Sequence, residues 1–309
     1  MKETAVGKDR ARSPQASRAG RFFYMLFKIV CGALAALFGL ITLCTLFLTV
    51  ASTEVDRSAR TLPKWEMEDL TEVLAKESWT DADYDFLYRQ TGLTRLAVDS
   101  VERSELPAFQ SALFFAGEVR HEMAAPTTPH DYLVNPETGH KVFAPMAPLE
   151  DGDVLVSSTC HTYGWRNGHA ALVVNGEYGD VLESVTIGMN SEITRSGADW
   201  FRNASNFIVL RLKNATKEER AAIAEDATKR LFDIPYSIFT GFFSSPKDQC
   251  ANGRTAETTH CSHLVWQAYK NAGIEIDYDG GPVCTTRDIA KSPRFEVVQV
   301  YGFDLEKLW

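Results

Sequence analysis

One stretch constrains this chain more than any other: from Ile29 to Thr53, IVCGALAALFGLITLCTLFLTVAST, 25 consecutive residues carry no charge. About 20 apolar residues suffice for a helix to cross the hydrocarbon core of a bilayer, and only a helix satisfies its own backbone hydrogen bonds there. The run therefore predicts a membrane-spanning helix, which we place at residues 22–53 behind a basic tail at 1–21. Six bases (Lys2, Lys8, Arg10, Arg12, Arg18, Arg21) face two acids (Glu3, Asp9) before the run, and the flank from Glu54 to Asp69 is mainly acidic. Positive charge stays on the cytoplasmic side, so the N-terminus is expected in the cytoplasm and the rest outside it. A cleaved signal peptide is the alternative, since Thr49-Val50-Ala51 weakly imitates a cleavage site. The apolar run is longer than the roughly 7–15 residues usual for such signals. Cys31 and Cys44 lie inside the run, in poor context for lipid modification, and read as membrane residues.

The 309-residue chain is large enough for one globular domain with a smaller appendage, read as one soluble domain and one anchor, and a 24% content of charged residues argues against a multi-span protein. Setting aside the two acids and seven bases up to Lys28 leaves 39 acids against 25 bases, a net charge near −14. Such a surface repels nucleic acid and anionic lipid. Four cysteines (Cys160, Cys250, Cys261, Cys284) would be exported. Oxidising surroundings favour pairing unless a thiol is kept for chemistry. A Cys250–Cys284 disulfide is permitted by the count but not demonstrable from spacing.

Residues 54–147 read as a helical collar and connection. KWEMEDLTEVLAKES is helical in pattern, and Thr80 with Asp83 three residues later approximates a capping box ahead of YDFLYRQTG, ending on Gly92. LTRLAVDSVERS makes a third short helix, and Ala124 to Pro148 is rich in Pro, Thr and Asn, an irregular connection. From 148 to 309 the pattern changes to β-favouring runs, GDVLVSS, HAALVVN and DVLESVTIG, broken by turn residues such as Asn175-Gly176 and Gly179-Asp180. NFIVLRLK and RFEVVQVYGF are further strands, while TKEERAAIAEDATKRL and HCSHLVWQAYKNAG are helices, the latter closed by Gly273. No internal repeat is present.

Cys261 stands at the head of the SHLVWQAY helix. Free N–H groups and the dipole at a helix N-terminus stabilise a thiolate and lower a cysteine pKa. Taken alone, a cysteine in an apolar helix is more often a small core residue, so a base has to decide the matter. His169 opens a strand directly after Gly168, where a ring can project from the sheet end and take a proton from a thiol. A lone strand histidine is more often structural, but Glu183 lies on the next strand. If the intervening hairpin loop has an odd number of residues, for example 175–179, the two share a sheet face as diagonal neighbours, and the carboxylate can orient the imidazole.

The series GDVLVSS, GHAALVV, DVLES and, far downstream, HCSHLVWQAY, trailed by RDIAKSPRFEVV, resembles the permuted papain-like amidases (YiiX-like), relatives of the NlpC-type cell-wall peptidases and of lecithin retinol acyltransferases. Ordinary papain-like enzymes place the nucleophile helix before the histidine strand; here the order is histidine, glutamate, cysteine, as circular permutation would produce. The resemblance spans residues 150–300. It implies an α+β, circularly permuted papain-like domain, an antiparallel sheet packed on helices, with Cys261 as nucleophile, His169 as base and Glu183 as orienting group. His263 departs from the pattern, since an acidic residue is expected there in many relatives. The implied reaction is thiolate attack on an amide or ester carbonyl, with the Cys261 N–H in an oxyanion hole and water clearing the acyl-enzyme, without a cofactor. Tyr163, Trp165 and Tyr236 would line the cleft. Cell-wall peptide amides suit an exported, anchored enzyme, and lipid amides or esters suit the acyltransferase relatives.

Two rival classes stand beside this. Cys160, His161, His260, Cys261 and His263 include soft ligands that zinc accepts, although HCSH lacks the usual CxxC or HExxH spacing. A catalytically idle envelope module keeping the same shape is the other, because a fold does not dictate a function. The sequons at Asn203 and Asn214 matter only in a glycosylating host.

Overall fold

The computed structural model describes residues 18–57, 60–125, 128–161, 166–242, 246–250 and 255–307. The chain divides into two compact units, Met1–Leu48 and Thr49–Trp309. In the first lies the bulk of helix α1 (Arg18–Arg57), whose Gly20–Val50 segment is long and apolar enough to cross a membrane. None of its most apolar window is buried, and Phe38 and Phe47 are more than 70% exposed.

The second unit is α+β. Four short helices come first: α2 (Thr71–Leu74), α3 (Asp81–Thr91), α4 (Arg95–Val98) and α5 (Leu106–Phe114). An antiparallel hairpin, β1 (Glu118–Ala125) and β2 (Thr128–Val134), follows. The main sheet is built from β3 (Val154–Ser157), β4 (His169–Asn175), β5 (Asp180–Glu183), β6 (Glu192–Thr194), β7 (Phe207–Leu212) and β8 (Phe295–Tyr301). Interspersed are α6 (Ala198–Asn203), α7 (Lys217–Leu231), α8 (Cys261–Asn271) and α9 (Thr286–Lys291). The strand order is β6-β5-β4-β3-β7-β8, and every neighbouring pair is antiparallel.

The strands are apolar at consecutive positions because both sheet faces are covered. Even-numbered Val154, Val156, Leu172 and Ile208 share a core with Ile223 and Ala227 of α7 and with Leu264 and Ala268 of α8. Odd-numbered Leu155, Ala171, Val173 and Val209 share another with Leu87, Leu93, Phe109 and Phe201. The segments expected as a collar thus cover one face of the sheet. Each fully buried Leu or Val contributes roughly 1.5–3 kcal/mol, so these two layers supply most of what holds the unit together.

Local signals explain where the long helices begin. Thr80 with Asp83 forms the expected capping box of α3, closed by Gly92 at φ 73°, and Thr216 with Glu219 forms that of α7. Thr285 with Asp288 makes a third box at α9. Two expectations fail. KWEMEDLTEVLAKES is helical only over Thr71–Leu74, because the stretch before it is held open by α3 and α5: Trp65 Nε1 donates to the Arg89 carbonyl at 2.8 Å, and Gln110 Nε2 to that of Glu68 at 2.6 Å. The region from Ala124, expected to be irregular, includes the end of β1 and all of β2; both strands carry polar residues that hide a two-residue period.

A buried ion pair ties the start of β3 to its neighbour β7. Asp153 is fully buried, and both its oxygens accept from Arg211 at 2.6 and 2.8 Å. Burial nevertheless pushes the Asp153 carboxyl up. The Gly152 carbonyl beside it accepts from the Tyr269 hydroxyl of α8, fastening the helix that carries Cys261 to the strand next to His169. Gly152 has φ 83°, and a Cβ there would meet the Arg220 backbone oxygen at 2.6 Å.

Candidate active site

The site lies where β4 and β5 meet the head of α8. His169 is the first residue of β4 and follows Gly168, whose φ of 65° is one that L side chains rarely adopt and whose N–H donates to the Cys160 carbonyl at 2.9 Å. The ring therefore stands at the sheet's end, within reach of both helix layers. Phe201 stacks on it with centroids 5.6 Å apart, and Trp200 meets it edge-on at 5.1 Å. Nε2 lies 2.6 Å from Glu183 Oε2, and the ring stands close enough to the Cys261 thiol for each to shift the other's ionisation.

A register shift brings the carboxylate to the ring. Asn175 pairs with Asp180, and continuing that alignment would put Glu183 on the sheet face away from His169. A bulge between Val173 and Asn175 changes the pairing to Val173 with Val181 and Leu172 with Leu182. In that register odd positions face odd positions, so Glu183 is the diagonal neighbour of His169. Thr194 on β6 then fixes the second oxygen, its hydroxyl donating to Glu183 Oε1 at 2.5 Å. Thr194 and the two aromatic residues of α6 were not anticipated from sequence, since they come into place only once β5, β6 and α6 have packed.

Cys261 is the first residue of α8 and is half-buried. The cap is His260, whose Nδ1 accepts from the His263 N–H at 3.3 Å, and Leu264 N–H donates to the His260 carbonyl at 2.8 Å. Helix geometry leaves the N–H groups of Cys261 and Ser262 without an intrahelical acceptor, aimed past the N-terminus. His263 points elsewhere: Nε2 donates to the Lys247 carbonyl at 2.8 Å, so Nδ1 is the acceptor for the Thr259 hydroxyl at 2.9 Å. Buried, with His260 beside it, that imidazole has its pKa lowered to about 3 and is neutral. Both nitrogens of one ligand in the zinc alternative are thus engaged.

The three buried or half-buried thiols with perturbed pKa diverge. Burial raises those of Cys250 and Cys284, which are not bridged to each other. Burial opposes ionisation of Cys261 too, but hydrogen bonds from His169 and His260 outweigh it and lower its pKa to about 5. His169 answers in kind: burial disfavours its charge, yet the bonds to Cys261 and Glu183 raise its pKa to about 10. Glu183, also opposed by burial, is lowered by the same imidazole and by Thr194. At neutral pH the arrangement is a thiolate, an imidazolium and a carboxylate in a row, able to deliver a nucleophile and then a proton.

Tyr236 is half-buried nearby; burial and the Cys261 and Cys160 sulfurs push its phenol up, so it stays a neutral donor. Tyr163 and Trp165 lie outside the described residues. Beside the strand carrying His169, a cleft of about 560 Å³ is lined by Arg166, Asn167, Asp279, Arg287, Asp288 and Lys291, a mixed-charge surface. Among the described residues, Asp277, Asp279 and Asp288 are close enough to share a cation. Lys247 already pairs with Asp277, and Asp288 Oδ2 accepts from Thr285 at 2.9 Å.

Fold and site define a class: an α+β protein with an antiparallel sheet covered by helices, an apolar N-terminal helix able to span a membrane, and a Cys–His–Glu row whose histidine and glutamate are buried and whose cysteine is half-buried. No protein-family model matches the chain, and no curated protein does. Among solved structures, the metalloprotein yiiX from Escherichia coli O157:H7 is similar at 16% identity with a TM-score of 0.36, over 49% of this chain and 97% of that one. So distant a likeness assigns no fold family.

Proposed function

We propose that this protein is a membrane-anchored cysteine hydrolase that cleaves amide or ester bonds through a thiol acyl-enzyme, on a permuted papain-like domain. The observation that carries the reading is the placement of the Cys261 thiol at the head of α8 beside a histidine that is itself held by a carboxylate, which lowers the thiol's pKa. A structural cysteine in the same helix would behave like Cys250 and Cys284, with burial raising its pKa.

In this mechanism the Cys261 thiolate attacks the carbonyl carbon, and the oxyanion forms against the N–H groups left open at the head of α8, with the Tyr236 hydroxyl as a further donor. His169, protonated beforehand, gives its proton to the leaving amine or alkoxide, then takes one from the water that hydrolyses the acyl-enzyme. Glu183, oriented by Thr194, keeps Nε2 as the bonded nitrogen and leaves Nδ1 for the thiol and substrate. Peptide amides such as those of a cell wall are the substrate class we put first, with the domain on the extracytoplasmic side.

Labelling of the full chain with iodoacetamide tests this. Fast alkylation of Cys261 at pH 7, slowed at least tenfold in His169→Ala, supports it. Slow alkylation independent of His169 leaves a packing cysteine and sinks the hydrolase.

A further inference from the structure

Two loops leaving the site carry no charged residue, in a chain of which 24% is charged: 184–191, directly after Glu183, and 234–242, which includes Tyr236. They are joined side by side. Ser191 N–H donates to the Ile234 carbonyl at 2.8 Å, and Tyr236 N–H to that of Met189 at 3.1 Å. From them project Val185, Ile187, Met189, Ile238, Phe239 and Phe242, all exposed, Ile187 to 69% and Phe239 to 55%.

The display is built into the fold rather than left loose. Ser237 N–H donates to the Thr259 carbonyl at 2.8 Å, and Thr240, fully buried, bonds its hydroxyl to that of Thr258 at 2.9 Å. At Gly241 φ is 91°, and a Cβ would meet the Pro282 oxygen at 2.2 Å, so the turn is held tight against the unit. The loop is thus pinned to the segment that leads into Cys261 while Ile238, Phe239 and Phe242 are exposed. A cluster of large apolar side chains that the fold takes the trouble to hold outward marks a docking surface.

We propose that this uncharged apolar rim is the surface by which the domain rests on the lipid bilayer, its side chains entering the headgroup and upper acyl region. Two observations select a bilayer as the occupant. Phe, Ile and Met without charge are the residue types that partition into the interface. A bilayer is also always within reach: the membrane-spanning segment ends at Val50, and Thr61 is fixed by its N–H to the Gly302 carbonyl at 2.9 Å. Eleven peptide units extend at most about 40 Å, so the domain is tethered close to the lipid surface. Uncharged loops suit this chain in particular, since its net negative charge would otherwise hold it off anionic headgroups.

The rim stands independently of the hydrolase reading, and one experiment separates them. The full chain is reconstituted in phosphatidylcholine vesicles with a benzophenone-bearing phenylalanine in place of Phe239, of Ile187 or, as control, of Tyr178, which is 64% exposed in the β4–β5 turn. After irradiation, lipid adducts at 239 and 187 at least tenfold above those at 178 are expected. Equal yields at all three positions, no lipid adduct at 239 and 187, or adducts of two protein chains in their place would overturn the proposal. Iodoacetamide labelling of the same samples reports the thiol: lipid adducts without fast alkylation keep the rim and lose the hydrolase, and fast alkylation without adducts does the reverse.

Discussion

A thiolate at residue 261 is stable only while the imidazole at residue 169 carries its proton, so both ionisations appear in one pH profile. Cys261 is depressed to about 5 and His169 raised to about 10. The thiolate is therefore present above the lower value: the alkylation rate should rise as pH increases through about 5 and stay flat to neutrality. In His169→Ala the midpoint should move up to about 8.5, the value of an unassisted thiol; a midpoint that stays near 5 would mean that His260 and the helix terminus suffice. Hydrolysis also needs the imidazolium as acid, so kcat/KM should fall again as pH rises through about 10. Glu183→Gln keeps the shape but removes the charge, and turnover should drop about 100-fold or more. Thr194→Val loses one charge-assisted hydrogen bond to Glu183, a change of about tenfold. Equal losses in the two variants would instead point to collapse of the sheet edge. Cys261, His169 and Glu183 were all legible as residue types in sequence. Thr194 was not, because a hydroxyl donor has no sequence signature until its acceptor is in place.

Among the elements, those with strong local chemistry were readable and those set by neighbours were not. The capping boxes at Thr80 and Thr216 and the glycine closing α3 depend on residues three or four positions apart, which is the range that sequence shows directly. Thr216→Ala should accordingly cost about 1 kcal/mol in urea unfolding, with no change in the alkylation profile of Cys261. The coil from Trp65 to Leu70 and the β1–β2 hairpin were missed, since hydrogen bonds from Gln110 and pairing across the turn outweigh local pattern. The diagonal placement of Glu183 was anticipated from an odd hairpin loop; the device that achieves it is the bulge between Val173 and Asn175.

For the molecule as a whole, the buried Asp153–Arg211 pair joins β3 to β7, and the Tyr269 hydroxyl on the Gly152 carbonyl joins the sheet to the helix layer carrying Cys261. Asp153→Ala strands a guanidinium that is 6% exposed, and should cost about 3–5 kcal/mol. A loss below about 1 kcal/mol in chemical unfolding would show that Glu150 compensates. Removing residues 1–53 should release the protein from the membrane fraction; retention would require another membrane-binding surface, for which the apolar rim is the candidate. By itself the sequence determined the apolar N-terminal helix able to span a membrane, the strands β3, β4, β5, β7 and β8, and the helices α3, α7 and α8, because each rests on composition or short-range periodicity. It also supplied the cysteine, histidine and glutamate of the candidate site. Only the tertiary structure decided that two helix layers cover both faces of one sheet, that a bulge turns Glu183 toward His169, and that apolar loops gather at the rim. Those outcomes depend on contacts between residues far apart in the chain, whose energies exist only after the backbone has closed around them.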